Sequence, residues 1–232
     1  MYIDVYMQKA ERHVQVMIPI LYADKHFLIC CKPIGVISES PGLPDILQEQ
    51  LGCRVYPVHR LDQGTGGVCM LAFSAGACTS LQNLFLQGKV KKKYLAVISG
   101  SCESQNGSFR DFLYHDKRSN KSYVVKQKRK GVKEALCDWD VIGSSFCDDQ
   151  LLSLVCVSLH TGRTHQIRVQ FSSRGLPLVG DRKYGSRIKA DSPALWAYSL
   201  SFLHPWQEGL SVAVSVPPKE AFPWTLFDLS SL

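Results

Sequence analysis

Three strand-like stretches, Ser122–Lys126, Ala135–Ile142 and Leu151–Leu159, follow one another with only turns between them. Two more, 195–203 and 210–216, close the chain. Neighbouring parallel strands need a long crossover, usually a helix, whereas antiparallel strands need only a turn. A succession of strands without helical periodicity between them therefore argues against a doubly wound parallel sheet. The pattern predicts an α+β fold with a mixed, mostly antiparallel central sheet flanked by helices.

The helices can be placed by their punctuation. His26–Lys32 is a short apolar run ended by Pro33 and Gly35, which predicts a buried strand entering a turn. Pro44 opens a short helix in which Ile46, Leu47 and Leu51 share a face, and Gly52 stops it. A second buried strand, 67–73, leads to Ser74, a good N-cap. The helix after it turns Leu81, Leu84 and Phe85 inward and ends at Gly88. Tyr94–Ile98 is strand-like, and 101–121 is expected to be loop-rich. Around 164–174 the helical period returns, with Thr164 as N-cap, Ile167 and Phe171 inward and Gly175 as stop. Residues 1–19 are expected to be an arm or edge strand, and 20–232 a single domain.

Composition removes several function classes. The chain has 232 residues, 45% of them hydrophobic, enough for a substantial core. No apolar run reaches the roughly 20 residues of a membrane helix, and Val16–Tyr22 is broken by Pro19. The first residues carry Asp4, Glu11 and Arg12 instead of a secretory pattern. Nine cysteines, an odd number without C-x-x-C spacing, are expected to be buried thiols in a reducing, cytoplasmic compartment. There is no P-loop, no H-E-x-x-H and no G-x-S-x-G, and Gly64, Gly66 and Gly67 lack dinucleotide-binding spacing. The acids of the candidate loops are mostly isolated, unlike those of a metal nuclease. No cofactor and no metal are expected. The net charge of +7 suits a polyanionic partner without requiring one.

Two polar clusters interrupt the apolar pattern. His59-Arg60-Leu61-Asp62 precedes the turn Gln63-Gly64-Thr65-Gly66-Gly67 and could be a surface turn with a local ion pair. Thr161-Gly162-Arg163-Thr164-His165-Gln166-Ile167-Arg168 opens the helix at 164–174. It is either a phosphate-docking helix start or a capped helix with solvated charges. A partly buried Arg168 would need a carboxylate, and Asp62 is the obvious unpaired acid. Lys91-Lys92-Lys93-Tyr94 combines basic residues with an aromatic. Further basic clusters at 117–121, 126–133 and 182–189 together suggest a tracked polyanion.

These segments resemble a known family. HRLDQGTGG at 59–67 is similar to the HRLDxxTSG signature of the RluA-type pseudouridine synthases. Lys32-Pro33-Ile34-Gly35, Lys93-Tyr94-Leu95-Ala96, TGRTHQIRVQF at 161–171, GLPLVGDRKYG at 175–185 and ALWAYSLSFLHP at 194–205 match further motifs in order. The resemblance runs from about Ile20 to Pro217 and implies the pseudouridine synthase catalytic fold. It implies a catalytic Asp at Asp62, an active-site Tyr at Tyr94, the paired basic residue at Arg168 and a base-displacing Arg at Arg60. Arg163, Thr164, His165 and Gln166 then belong to the RNA-binding surface. Gly66, Gln170 and Trp196 depart from the usual Ser, His and His.

The implied activity is isomerisation of uridines in structured ribosomal or transfer RNA, a reaction without redox change, energy donor or metal. Asp62 could attack C1′, attack C6 or assist loss of a C2′ proton. No S4 RNA-binding domain fits before Ile20, and no obligate protein partner or membrane is expected. The alternatives are a catalytically degenerate RNA-binding protein or RNA chaperone, and a metal nuclease. The trio Asp62, Tyr94 and Arg168 argues against the former.

Overall fold

The structure is a computed structural model that describes residues 17–230. The arm expected at 1–19 lies mostly outside the described residues. Strands β1 (Ile20–Ala23), β2 (Phe27–Lys32), β3 (Tyr56–Pro57), β4 (Gly66–Ala72), β5 (Lys91–Ser99) and β6 (Asn106–Asp116) belong to one sheet. So do β7 (Lys121–Val125), β8 (Val132–Cys147), β9 (Gln150–Leu159), β10 (Leu195–Leu203) and β11 (Leu210–Val214). The order is β1-β2-β4-β10-β5-β9-β8-β6-β7, with β11 on β10 and β3 on β4. Among the described residues only β4 and β10 pair in parallel, so the mixed, mostly antiparallel α+β sheet expected from the sequence is what forms.

Among the described residues three α-helices cover it. Helix α1 (Leu43–Leu51) has Pro44 in its first turn and Gly52 as a left-handed C-cap. It buries Leu43 and Leu47 against Leu28, Cys30, Cys69 and Leu71. Helix α2 (Ala75–Leu86) begins at Ser74, whose Oγ accepts the Ala77 N–H at 3.2 Å. It packs Ala77, Cys78 and Leu81 on Phe27, Ile29, Val68 and Met70. Because successive strand residues face opposite ways, α1 and α2 lie on opposite faces of β2 and β4. Helix α3 (Gln166–Ser172) sets Ile167 and Phe171 on Ala96, Ile98, Val155 and Val157.

Two expectations are corrected. Residues 101–121 are not loop-rich, because 106–116 form β6 between β7 and β8. Its fully buried residues, Phe109 and Leu113, are four apart, so the two-residue alternation of a strand is hidden by polar positions. Nor is Thr164 the N-cap of α3. The cap is His165, in a left-handed conformation at φ 54°. The side chain of Gln166 does the closing: its Oε1 accepts from Arg163 N–H at 3.0 Å and Thr161 Oγ at 2.8 Å, and its Nε2 donates to Leu136 O at 3.1 Å.

The departures at Gly66 and Trp196 turn out to be one feature. In the parallel pairing Gly66 lies beside Trp196. A Cβ on Gly66 would overlap the indole, standing 2.8 and 2.9 Å from two ring carbons besides a closer one. Trp196 is itself fixed, its Nε1–H donating to Ser215 O at 2.8 Å. We therefore expect Gly66→Ser to destabilise the protein by about 1–3 kcal/mol through overpacking. In a Trp196→His background the same change should cost at least about 1 kcal/mol less. Chemical denaturation of the four proteins of this double-mutant cycle measures the coupling.

Candidate active site

Asp62 lies on the loop between β3 and β4, and that loop is tied down from two sides. Ser38 Oγ donates to Leu61 O at 2.8 Å and accepts Leu61 N–H at 3.0 Å. Gly35 N–H donates to Gln63 O at 2.8 Å, and Thr65 N–H donates to Asp62 O at 2.9 Å. Beneath it Lys32, with 0% exposure, points its ammonium at the carbonyls of Val36 (2.7 Å), Pro33 (3.0 Å) and Gln63 (3.5 Å). Burial lowers its pKa to about 8, against the opposing charges of Cys69 and Asp62. The Lys-Pro-Ile-Gly segment thus forms the seat of the Asp62 loop.

Arg168 projects from α3 to the same place. Its Nη1 lies 3.4 Å from Asp62 Oδ2. Its stronger partner is Asp181, bound bidentately through Nε at 2.6 Å and Nη2 at 2.9 Å. The pairing of Arg168 with Asp62 expected from the sequence forms, but Asp62 is not the sole partner: Asp181, 1% exposed, binds the guanidinium bidentately and Asp62 meets the remaining Nη1. Burial opposes the charge on Arg168, but hydrogen bonds and charge from Asp181, then Asp62, raise its pKa. The guanidinium also lies 5.1 Å from the ring centre of Tyr184. Asp181 and Tyr184 escaped the sequence reading because they sit in GDRKYG, where Arg182 and Lys183 made the segment look like a solvated basic patch.

A cavity of about 550 Å³ opens above Asp62, within the usual range for ligand sites. Asp62 is the one carboxylate among its lining residues, which include Arg60, Lys92, Arg163, Tyr94 and Ile167. Tyr94 is half-buried on β5, and its pKa is raised by burial first and by the Asp62 charge second. Its phenol therefore stays protonated at neutral pH. His59 accepts the Met70 N–H on Nε2 at 3.1 Å and stacks on Phe85 with centroids 4.7 Å apart.

The remaining sequence candidates gather at the same cavity, in different settings. Arg60 is exposed and pairs with Glu39 at 2.9 Å. Arg163 donates from Nε to Glu134 O at 2.8 Å. Thr164 is half-buried, and its carbonyl accepts from Ser122 Oγ at 2.6 Å. His165 is buried, with Nε2 3.8 Å from Asp62 Oδ2. Gln166 is buried and spends both amide atoms within the protein. A smaller cavity of about 270 Å³ lies beyond a wall formed by Arg60, Leu61, Asp62, Thr164 and His165, and is lined also by Glu39, Asn120 and Lys183.

The α+β fold thus sets a single carboxylate, in contact with a guanidinium, in a cation-lined cavity. A family model described as RNA pseudouridylate synthase matches residues 26–173. A protein of Bacillus subtilis, "Uncharacterized RNA pseudouridine synthase YhcT", is 31% identical over 87% of this chain and 69% of its own length. The "Dual-specificity RNA pseudouridine synthase RluA" of Pasteurella multocida is 32% identical over 86% of this chain and 92% of its own. The solved "Human RNA Pseudouridylate Synthase Domain Containing 1" is similar in fold, with a TM-score of 0.77 at 24% identity, covering 88% of this chain and 85% of that one. The chain belongs to the RNA pseudouridylate synthase family, and its enzyme class is that of an RNA pseudouridine synthase, an isomerase. It spans 69%, 66% and 64% of the length of three relatives it matches.

Two outcomes follow from the buried charges. Asp181→Asn leaves Arg168 without its bidentate partner and should cost about 3 kcal/mol of stability. Arg168→Lys keeps the charge but cannot span both Asp181 oxygens and Asp62, so it should lose part of that stability as well. Urea denaturation reads both. The second outcome concerns pH. Burial depresses the pKa of His165 to about 4 from an ordinary 6.5, and that of His59 likewise. A depressed folded-state pKa contributes stability that is fully present above about pH 6.5 and is lost as pH falls toward about 4. The thermal midpoint should fall across that window, beginning near pH 6 before ordinary carboxylates titrate, and His165→Gln should flatten the fall.

Proposed function

We propose that this chain converts specific uridines of structured RNA, ribosomal or transfer RNA, to pseudouridine, with Asp62 as the reacting carboxylate. One observation carries the reading: a single carboxylate, met by Nη1 of Arg168 at 3.4 Å, lines a cation-rich cavity within the segment matched by the family model. Relatives named for the large ribosomal subunit and for tRNA support the substrate class.

In the proposed reaction the target nucleotide leaves its stack, which costs a few kcal/mol. The N1–C1′ bond breaks, the uracil turns, the C5–C1′ bond forms, the C5 proton is lost and N1 takes up a proton, so the product is an isomer of the uridine. The carboxylate acts as nucleophile or base in its ionised form, and Arg168 stands beside it at 3.4 Å. Because Asp181 takes the stronger share of the guanidinium, Asp62 is not locked into a tight pair. Tyr94, held as a neutral phenol, offers a ring and an O–H to the base. Arg60 leaves Glu39 to fill the space vacated in the RNA stack; an exposed pair of this kind is worth only about 0–1 kcal/mol and gives way readily. Arg163 and Thr164 meet the RNA backbone, while His165 and Gln166 shape the turn that presents them.

The catalytic domain is taken as residues 20–232. Among the described residues no helix is long and apolar enough to cross a membrane. All nine cysteines are free thiols, four of them buried, which supports the proposal of a reducing, cytoplasmic location.

The test uses unmodified transcripts of transfer RNA and large-subunit ribosomal RNA, with pseudouridine detected chemically. The wild-type chain should form pseudouridine at defined positions. Asp62→Asn should form none while binding RNA within about tenfold, or about 1.4 kcal/mol. Activity should persist in EDTA on a stem-loop stable without magnesium. Turnover by purified Asp62→Asn would overturn the assignment.

A further inference from the structure

His165 is 7% exposed, held at φ 54°, and sits in the wall between the two cavities. Such a conformation is uncommon for a residue other than glycine and needs support from its surroundings. The support is a hydrogen-bond chain. Ser122 N–H donates to Tyr184 Oη at 2.8 Å. Tyr184 Oη lies 3.0 Å from His165 Nδ1. The hydroxyl already accepts from Ser122, and among the described residues its own proton has His165 Nδ1 as acceptor. Nδ1 is then bare, and the imidazole proton of the neutral ring sits on Nε2. That nitrogen faces Oδ2 of Asp62 at 3.8 Å.

Oδ2 is also the oxygen reached by Arg168 Nη1 at 3.4 Å. Both side chains thus converge on one oxygen of the carboxylate, and among the described residues Oδ1 accepts no hydrogen bond. We infer that His165 is a positioning residue whose Nε2–H, together with Arg168, holds Oδ2 of Asp62 and so presents Oδ1 to the nucleoside. The inference rests on the functional reading above. The 3.8 Å separation closes to a hydrogen bond when RNA displaces solvent, as catalytic contacts commonly tighten in the complex. The groups around the imidazole are Asp62, Asp181, Arg168, Lys183, Tyr184 and, edge-on at 6.3 Å, His115. Burial outweighs the two carboxylates and keeps the ring neutral at physiological pH. His165 therefore acts as a donor without adding a second positive charge that would tighten the hold on Asp62.

Two substitutions separate positioning from folding. His165→Gln keeps a donor at the reach of Nε2 and loses the acceptor to Tyr184. His165→Asn keeps an acceptor at the reach of Nδ1, tolerates the left-handed backbone better, and loses the donor to Asp62. On the same transcripts, kcat should fall about threefold for His165→Gln and about tenfold to a hundredfold for His165→Asn, with KM unchanged in both. Their melting temperatures should rank the other way, His165→Asn being the more stable. Nitrogen NMR of the RNA-free protein should show His165 as the neutral Nε2–H form between about pH 5 and 8. Equal kcat for the two variants, a loss confined to KM, or an Nδ1–H ring would overturn the inference. Absence of turnover by the wild-type chain would instead defeat the functional reading, and the NMR result would still decide the tautomer.

Discussion

The bidentate pair between Arg168 and Asp181 organises everything around it. A guanidinium 8% exposed is tolerable only with its donors engaged. Asp181 engages the Nε–Nη2 edge and so fixes the direction of Nη1. That nitrogen is what Asp62 meets. The pair also joins α3 to the turn at 180–185, where Tyr184 packs against the guanidinium and reaches back to β7 through Ser122. Segments far apart in sequence are thereby locked to within hydrogen-bond distances, and the carboxylate acquires a fixed neighbour without a full salt bridge of its own.

The sheet was largely legible because its strands are buried, short and separated by turn residues. The helices α1 and α2 were legible from Pro44, Gly52 and Ser74. What was hidden has physical causes. In β6 only every fourth residue is fully buried, since one face meets the core at Phe109 and Leu113 while the rest is partly solvated. At α3 a glutamine side chain performs the closing usually read from a Ser or Thr cap. Such a long-range contact, from Gln166 to Leu136 O, has no local sequence signal.

The candidate site was legible in its residues more than in its connections. The HRLD and TGRTHQIR segments identified the groups that line the cavity. The order of partnership was not readable: Asp181 is thirteen positions from Arg168 and was masked by the cations beside it. Lys32 stood out only as part of a turn motif, although its ammonium organises the loop that carries Asp62. A charge buried on backbone carbonyls leaves no complementary charge in the sequence to betray it.

The interlocked Gly66 and Trp196 carry a consequence for how such a sequence can arise. Where Ser and His are the usual occupants, an indole arriving first would collide with the serine side chain. A glycine arriving first merely opens space beside the histidine. Only one order of events passes through a comfortable intermediate, and once the indole has filled the space the earlier step is closed to reversal. The pair behaves as a latch: a return to the usual occupants is open in one order only, with the indole of Trp196 leaving before a side chain is restored at Gly66.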